Sequence, residues 1–391
     1  MKDYIKKMSK GKEQKPVILQ VLPELDHGGV EVGTVQIADA LRQHGIKNFV
    51  ASAGGRMVRE LEKIKVPHFT LPLKTKNPIK LYLNSLKLEK IIKENGINIV
   101  HARSRAPAWS AYWAAKRAGV KFITTFHGTY GLGPKGIKKF YNRVMTYGQL
   151  VIAISNHIKK HITENYRINE DKIRLIHRCV DIEKFSPAAV SQERIIRAVQ
   201  ENGIPEDLPV ISLIGRITRW KGQHVLLEAL SKLKDRDFFC LIVGSDQGRV
   251  KYTEELKELV KKYGLESKVK FIGQSFDIPA LLMVSDIVLS TAVEPEAFGR
   301  AAIEGQAMGK IVIASNLGGS LENTIDGVTG KLYESSDPQA LADAIRWALD
   351  LPLEEKKKIS AAAIKNVKEN FTKQIMCDKT IAVYNELINM D

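Results

Sequence analysis

The chain has 391 residues, 44% of them hydrophobic and 27% charged, a balance that excludes a largely disordered protein. At about 100–200 residues per domain the length provides for two or three domains. Lys and Arg number 60 against 44 Asp and Glu, so the formal net charge is +16.

In chain order, the first segment, residues 1–16, is basic and has no apolar stretch behind it, which predicts a solvated tail rather than a signal peptide. Short apolar runs then predict strands at Val17–Leu22, Phe49–Ala53, Ile97–His101, Lys121–Phe126, Leu150–Ile154 and Lys172–His177. Amphipathic patterns between them predict helices at Glu31–His44, Ile79–Asn95, Pro107–Ala118 and Asn156–Tyr166. The segment 186–209, with Pro187, Pro205 and Pro209 around a polar helix pattern, breaks this rhythm and reads as an interdomain connection. The alternation resumes with strands at Val210–Ile214, Phe238–Val243, Lys268–Ile272, Asp286–Ser290 and Ile311–Ala314. Helices follow at Gln223–Lys232, Lys251–Tyr263, Arg300–Met308 and Pro338–Leu349, and a helical stretch runs from Glu354 to near Met390 with a break around Phe371–Thr372. Buried strands alternating with helices predict an α/β fold of parallel sheets covered on both faces. No run is long and apolar enough to span a bilayer. Cys179, Cys240 and Cys377 lie far apart without a CxxC pair, which excludes a disulfide framework and a zinc ribbon and fits a reducing compartment.

The positive charge is concentrated in one half. Residues 1–187 carry about 34 basic and 15 acidic side chains, about +19, and the remainder about 26 and 29, about −3. A basic half suits nucleic acid, an anionic membrane or an anionic substrate. The absence of a helix-turn-helix, zinc or RNA-recognition signature speaks against nucleic acid. The mixture of cations with Phe, Tyr, Ile and Met in Lys135–Tyr147 reads either as an anionic membrane or lipid-acceptor contact or as a sheet-covering helix with a basic outer face.

Ligands of parallel α/β sheets bind beyond the carboxyl ends of the strands, so the loops there hold the candidates. Gly28 and Gly29 precede a helix start, as an anion site or a tight turn would require. His127 and Gly128 end another strand, where a histidine can reach a ligand or serve the structure. The run from Gly215 to Gly222 places Arg216, Arg219 and Lys221 in one loop, the cations that a diphosphate needs. Glu296 lies in the loop after Asp286–Ser290, and Glu304 sits on the following helix among Ala301, Ala302, Ile303 and Ala307. A carboxylate in such apolar company is paired or faces a ligand, which leaves open a hydroxyl-binding pair of acids or an ion pair with Arg300.

This constellation resembles the retaining glycosyltransferases of family 4. The resemblance rests on Gly28-Gly29-Val30-Glu31, Thr125-Phe126-His127-Gly128, Val180-Asp181, Gly215-Arg216 with Lys221-Gly222, Glu296-Ala297-Phe298-Gly299 with Glu304, and the glycine loops at Gly318-Gly319 and Gly327–Gly330. The stretches His101–Arg105 and Glu304–Gly309 look like bacterial lipopolysaccharide or cell-envelope members. The resemblance implies a GT-B fold, two facing Rossmann-like domains with parallel sheets and an interdomain cleft. The acceptor-side domain would cover 1–187 with a C-terminal helix at about 372–391, and the nucleotide-sugar domain 188–371.

Further implications are a nucleotide-diphosphate sugar as donor, no cofactor and no essential metal. Arg216 and Lys221 would bind the diphosphate, and Glu304 the ribose hydroxyls. Glu296 with Ala297, Phe298 and Gly299 would hold the donor sugar. Gly28 and Gly29 would close over the phosphates, and His127 would lie beside the sugar. Without an evident nucleophile, retention would proceed by front-face transfer. The acceptor would be a lipid-linked or glycolipid molecule of the cell envelope, of lipopolysaccharide type. The place of action would be cytoplasmic, peripheral to the inner face of the membrane. Arg178-Cys179, where many members have Asn-Gly, and Ala297, where Gly is common, are departures. An epimerase or phosphorylase of the same fold, and a non-catalytic nucleotide-sugar or lipid-binding protein, are the alternatives.

Overall fold

The computed structural model describes residues 15–26 and 28–390, so most of the predicted N-terminal tail lies outside the described residues. The chain divides into two compact units, residues 1–176 with 376–391, and residues 177–375.

The first unit alternates β1 (Ile18–Val21), α1 (Gly29–Gln43), β2 (Asn48–Ser52), α2 (Val58–Lys63), β3 (His68–Thr70), α3 (Pro78–Asn95), β4 (Ile99–Ala102), α4 (Arg105–Ala118), β5 (Lys121–Phe126), α5 (Ile137–Asn142), β6 (Leu150–Ala153), α6 (Asn156–Tyr166) and β7 (Ile173–Leu175). All seven strands are parallel, in the order β3-β2-β1-β4-β5-β6-β7. The inner strands are buried at every position but Lys121 at the start of β5, as β1 (ILQV) and β6 (LVIA) illustrate, because helices cover both faces. Local signals set the helix ends. Asn77 accepts from the Lys80 N–H at 3.1 Å ahead of Pro78, and Gly96 closes α3 in the left-handed region at φ +64°.

The second unit contains α7 (Gln192–Asn202), β8 (Val210–Ile214), α8 (Gln223–Ser231), β9 (Phe239–Val243), α9 (Val250–Tyr263), β10 (Val269–Gly273), α10 (Ile278–Met283), β11 (Ile287–Ser290), α11 (Arg300–Ala307), β12 (Ile311–Ser315), α12 (Ser320–Asn323), β13 (Lys331–Tyr333), α13 (Pro338–Asp350) and α14 (Leu353–Asn370). Its six parallel strands run β10-β9-β8-β11-β12-β13. Side chains alternate between its two cores. Cys240 and Ile242 of β9 join Leu226, Phe238 and Leu341, whereas Phe239, Leu241 and Val243 join Leu281 and Val312. No helix among the described residues is long and apolar enough to cross a membrane.

The division of the chain falls between 176 and 177, ahead of the expected 187/188, and between 375 and 376, after the expected 371/372. Backbone pairing accounts for both positions. The Val180 N–H donates to the Phe371 carbonyl at 2.9 Å, and the Lys373 N–H donates to the Val180 carbonyl at 3.1 Å. The expected connection at 186–209 is packed into the second unit as well, through the Arg194–Asp277 pair at 2.6 Å and the buried Ala198 and Ile204.

The last helix, α15 (Lys373–Ile388), starts in the second unit and from Met376 belongs to the first. There the Tyr384 hydroxyl lies 2.7 Å from Nδ1 of His101 on β4, and the Thr125 hydroxyl lies 2.7 Å from its Nε2. His101 is fully buried, and burial with the nearby Arg103 charge holds its pKa well below the ordinary 6.5. The ring is therefore neutral when folded and takes up a proton on unfolding as the pH falls below that value. Its contribution to stability is complete above the unfolded pKa and declines below it. The melting temperature is expected to fall more steeply between pH 7 and 5.5 for the native chain than for His101→Gln, which thermal unfolding across that range measures.

Candidate functional site

In the second sheet the strand order reverses between β8 and β11, which makes their carboxyl ends the place where a ligand can enter. The loop after β8 ends in a tight turn, Arg219–Lys221, closed by Gly222 at φ +72°. A Cβ at Gly222 would lie 1.9 Å from the Thr291 carbonyl oxygen, so only glycine allows the turn to press on the loop after β11. Two further bonds fasten it, from Thr291 Oγ1 to the Lys221 carbonyl and from the Val293 N–H to the Trp220 carbonyl, both at 2.8 Å.

This fastening places Lys221 Nζ 2.5 Å from Glu296 Oε1. The side chains are 15% and 8% exposed, so both charges are largely withdrawn from water and depend on each other. Ser290 Oγ donates to the same oxygen at 3.4 Å, and Glu296 Oε2 makes no hydrogen bond among the described residues. Trp220 supports the cations: Lys221 Nζ lies 4.7 Å and the Arg216 guanidinium 5.7 Å from its ring centroid. Arg216 is exposed and forms no ion pair among the described residues.

The backbone from Glu296 to Gly299 is held from behind. The Gly319 N–H donates to the Glu296 carbonyl at 2.8 Å. Cβ atoms at Gly318 and Gly319 would fall 2.4 Å from the Glu296 oxygen and 2.3 Å from Phe298 Cα, so the glycine pair is a seat for this segment. Buried Asn323 donates to the Phe298 carbonyl, and Gln306 Nε2 donates to the Asn323 carbonyl at 2.8 Å. Phe298 is buried against the rings of His177 at 5.6 Å and Phe371 at 5.4 Å.

Glu304 lies one helical stretch further on, 9% exposed, with Oε1 2.5 Å from Arg300 Nη2. The Glu304 charge holds the Arg300 guanidinium above its ordinary pKa. Of the two readings open for Glu304, this arrangement contains the ion pair with Arg300. The structure thus sets Lys221 and Arg216 beside Trp220 and Glu296 against Lys221, and sets Glu304 with its own partner. Ala297, Phe298 and Gly299 supply backbone and packing between them.

The other candidates belong to the first unit. Gly28 precedes α1 with an extended backbone, φ 167°, so its conformation does not demand glycine. A Cβ there would fall 2.3 Å from Glu31 Oε2, a flexible atom. Gly29 is the first residue of α1, and half-buried His127 follows β5. Sequence patterns did not mark Trp220, Ser290, Thr291 or Asn323. Trp220 stands inside the Gly215–Gly222 loop, and Thr291 opens the loop that carries Glu296.

Removing Lys221 would leave a buried carboxylate without its counter-charge. Lys221→Met is expected to cost about 2–3 kcal/mol after allowance for its partial exposure. Adding Glu296→Gln to that variant should recover most of the loss, as chemical denaturation of the three variants would show.

A family model of the glycosyl transferases group 1 matches residues 195–366, and one of glycosyltransferase family 4 matches residues 27–184. A solved glycosyltransferase from Rickettsia africae is 42% identical, with a TM-score of 0.90 over 97% of this chain and 100% of that one. Anabaena HepE, solved in complex with UDP and glucose, is 25% identical, with a TM-score of 0.81 over 95% of this chain and 99% of that one. The D-inositol 3-phosphate glycosyltransferase of Corynebacterium diphtheriae is 28% identical over 236 residues, 59% of this chain and 54% of that protein. The chain spans about half the length of the curated relatives it matches. With two Rossmann-like units and this extent of likeness, the chain belongs to the glycosyltransferases of the family 4 type, with the GT-B fold.

Proposed function

We propose that the chain transfers a sugar, with retention of anomeric configuration, from a nucleotide-diphosphate donor to a cell-envelope acceptor of the lipopolysaccharide-type glycolipid class. The observation that carries the reading is the Lys221–Glu296 pair beside Arg216, at the carboxyl ends of β8 and β11. The complex of the Anabaena relative with UDP and glucose supports a nucleotide-sugar donor. The charge of about +19 on residues 1–187 supports an anionic acceptor.

Negative charge builds on the leaving phosphate oxygen as the glycosidic bond breaks. Arg216 binds the diphosphate through its fork of N–H groups, and Lys221 adds a point charge. Both cations are positioned before the donor arrives, Lys221 by Glu296 and both by Trp220, so little reorganisation accompanies the reaction. An ammonium has three N–H donors. One goes to Glu296 and the others are available to phosphate oxygens. The second oxygen of Glu296 accepts a hydroxyl of the donor sugar, with the Ala297–Gly299 backbone beside it. Glu304, held by Arg300, accepts the ribose hydroxyls. The family resemblance also gives Gly28 and Gly29 a part toward phosphates and His127 a part toward the sugar. The leaving phosphate oxygen takes the acceptor's proton in a front-face transfer. The two cations carry the charge compensation, and no essential divalent ion is involved.

Lys221→Ala is expected to lower turnover by roughly 10²–10³, the effect of losing a preorganised oxyanion donor. Unchanged turnover would remove Lys221 from the chemistry. Transfer should persist in excess EDTA, and the product's anomeric proton coupling should match the donor's. A nucleotide-sugar screen by thermal shift identifies the donor, since a ligand at 100 times its Kd adds about 2.7 kcal/mol of stability.

A further inference from the structure

Helix α3 of the first unit buries Leu81, Ser85, Leu88 and Ile92 on one face, against α4, where Ser110 Oγ donates to the Leu81 carbonyl at 2.8 Å. On the opposite face its first two turns expose Ile79 (70%), Tyr82 (53%), Leu83 (49%) and Leu86 (41%). The spacing i, i+3, i+4, i+7 makes these four one continuous outward stripe. The outward face of a sheet-covering helix is normally polar, and a contiguous apolar patch with a polar rim marks an interaction surface.

The charges at residues 74–87 are all basic. Lys76, Lys80, Lys87 and Lys90 are exposed around the stripe. Of these, Lys90 alone has an ion pair among the described residues, at 3.7 Å from Glu94. A two-fold contact with a second copy would set these lysines against their equivalents and repel. An anionic lipid surface satisfies both features, since it offers phosphates to the lysines and an apolar boundary to the stripe.

Position adds to the case. α3 follows β3, so its first turns adjoin the carboxyl edge of the sheet, the edge that carries Gly28 and His127. α5 follows β5 on that edge and exposes Ile137 (72%) and Phe140 (68%). The Phe140 ring lies 6.5 Å from Trp109 of α4, the helix that packs along α3.

We propose that this edge of the first unit docks on an anionic bilayer through the first two turns of α3. Ile79, Tyr82, Leu83 and Leu86 enter the headgroup boundary, and Lys76, Lys80 and Lys87 pair with lipid phosphates. The docking is independent of sugar transfer, so vesicle binding and turnover fail or succeed separately.

The test is co-sedimentation of the full chain with vesicles of phosphatidylcholine alone or mixed with phosphatidylglycerol. Partition into the anionic vesicles is expected to be at least about tenfold higher and to weaken with added salt. Leu83→Glu with Leu86→Glu should abolish most of it while the melting temperature holds. Leu83→Ser provides a milder change should the glutamates disturb α3. Lys80→Glu with Lys87→Glu should remove the preference for anionic lipid. Equal binding to both vesicles, or wild-type partition by folded stripe variants, would overturn the proposal. So would a dimer in solution that the stripe variants split, since the stripe would then face a second copy.

Discussion

An ammonium and a carboxylate drawn together out of water set the terms for the second unit. Lys221 comes from the turn after β8 and Glu296 from the loop after β11, and neither charge is tolerable there without the other. Their approach requires two loops to touch at backbone distance. Gly222 permits that contact, and Thr291 and Val293 hold it. Gly318, Gly319 and Asn323 then immobilise the Glu296–Gly299 segment from the other side. The glycines are thus conditions for one electrostatic arrangement, and strand order places that arrangement where parallel sheets receive ligands.

Trp220 extends the same logic to cations that would otherwise repel. An indole face beneath Arg216 and Lys221 offsets part of their mutual repulsion without neutralising either. Glu304 and Arg300 form a separate pair on α11, four residues apart, and a helix provides that geometry locally. The two glutamates therefore differ in kind. One is held by tertiary structure and the other by its own helix.

Much of this was legible in the sequence, and the reasons are physical. Buried parallel strands and amphipathic helices have strong periodicities, and α6 is found at Asn156–Tyr166 as its pattern predicts. The edge strands β3 and β13, three residues each and mostly part-buried, are too short to leave such a pattern. The polar helix in 186–209 looked like a linker because most of its residues face water, yet Arg194–Asp277 fixes it to the second unit. Loop chemistry pointed to Arg216, Lys221, Glu296 and Glu304, because charges at strand ends stand out. Asn323 and Ser290 did not, since an amide or a hydroxyl acquires its meaning from a partner distant in sequence. The outward stripe of α3 was hidden for a related reason: an amphipathic pattern over Ile79–Asn95 does not say which of its apolar residues face inward.

The last helix has a consequence for how the chain comes into being. His101 on β4 is completed by Tyr384, which a ribosome adds only after the whole of the second unit has been joined. Domains usually fold in the order in which they are made. Here the earlier one emerges with a gap at its centre, and its finishing part is still inside the ribosome while the later one assembles. A break in the chain between the second unit and Tyr384 would thus injure the half of the molecule that was synthesised first.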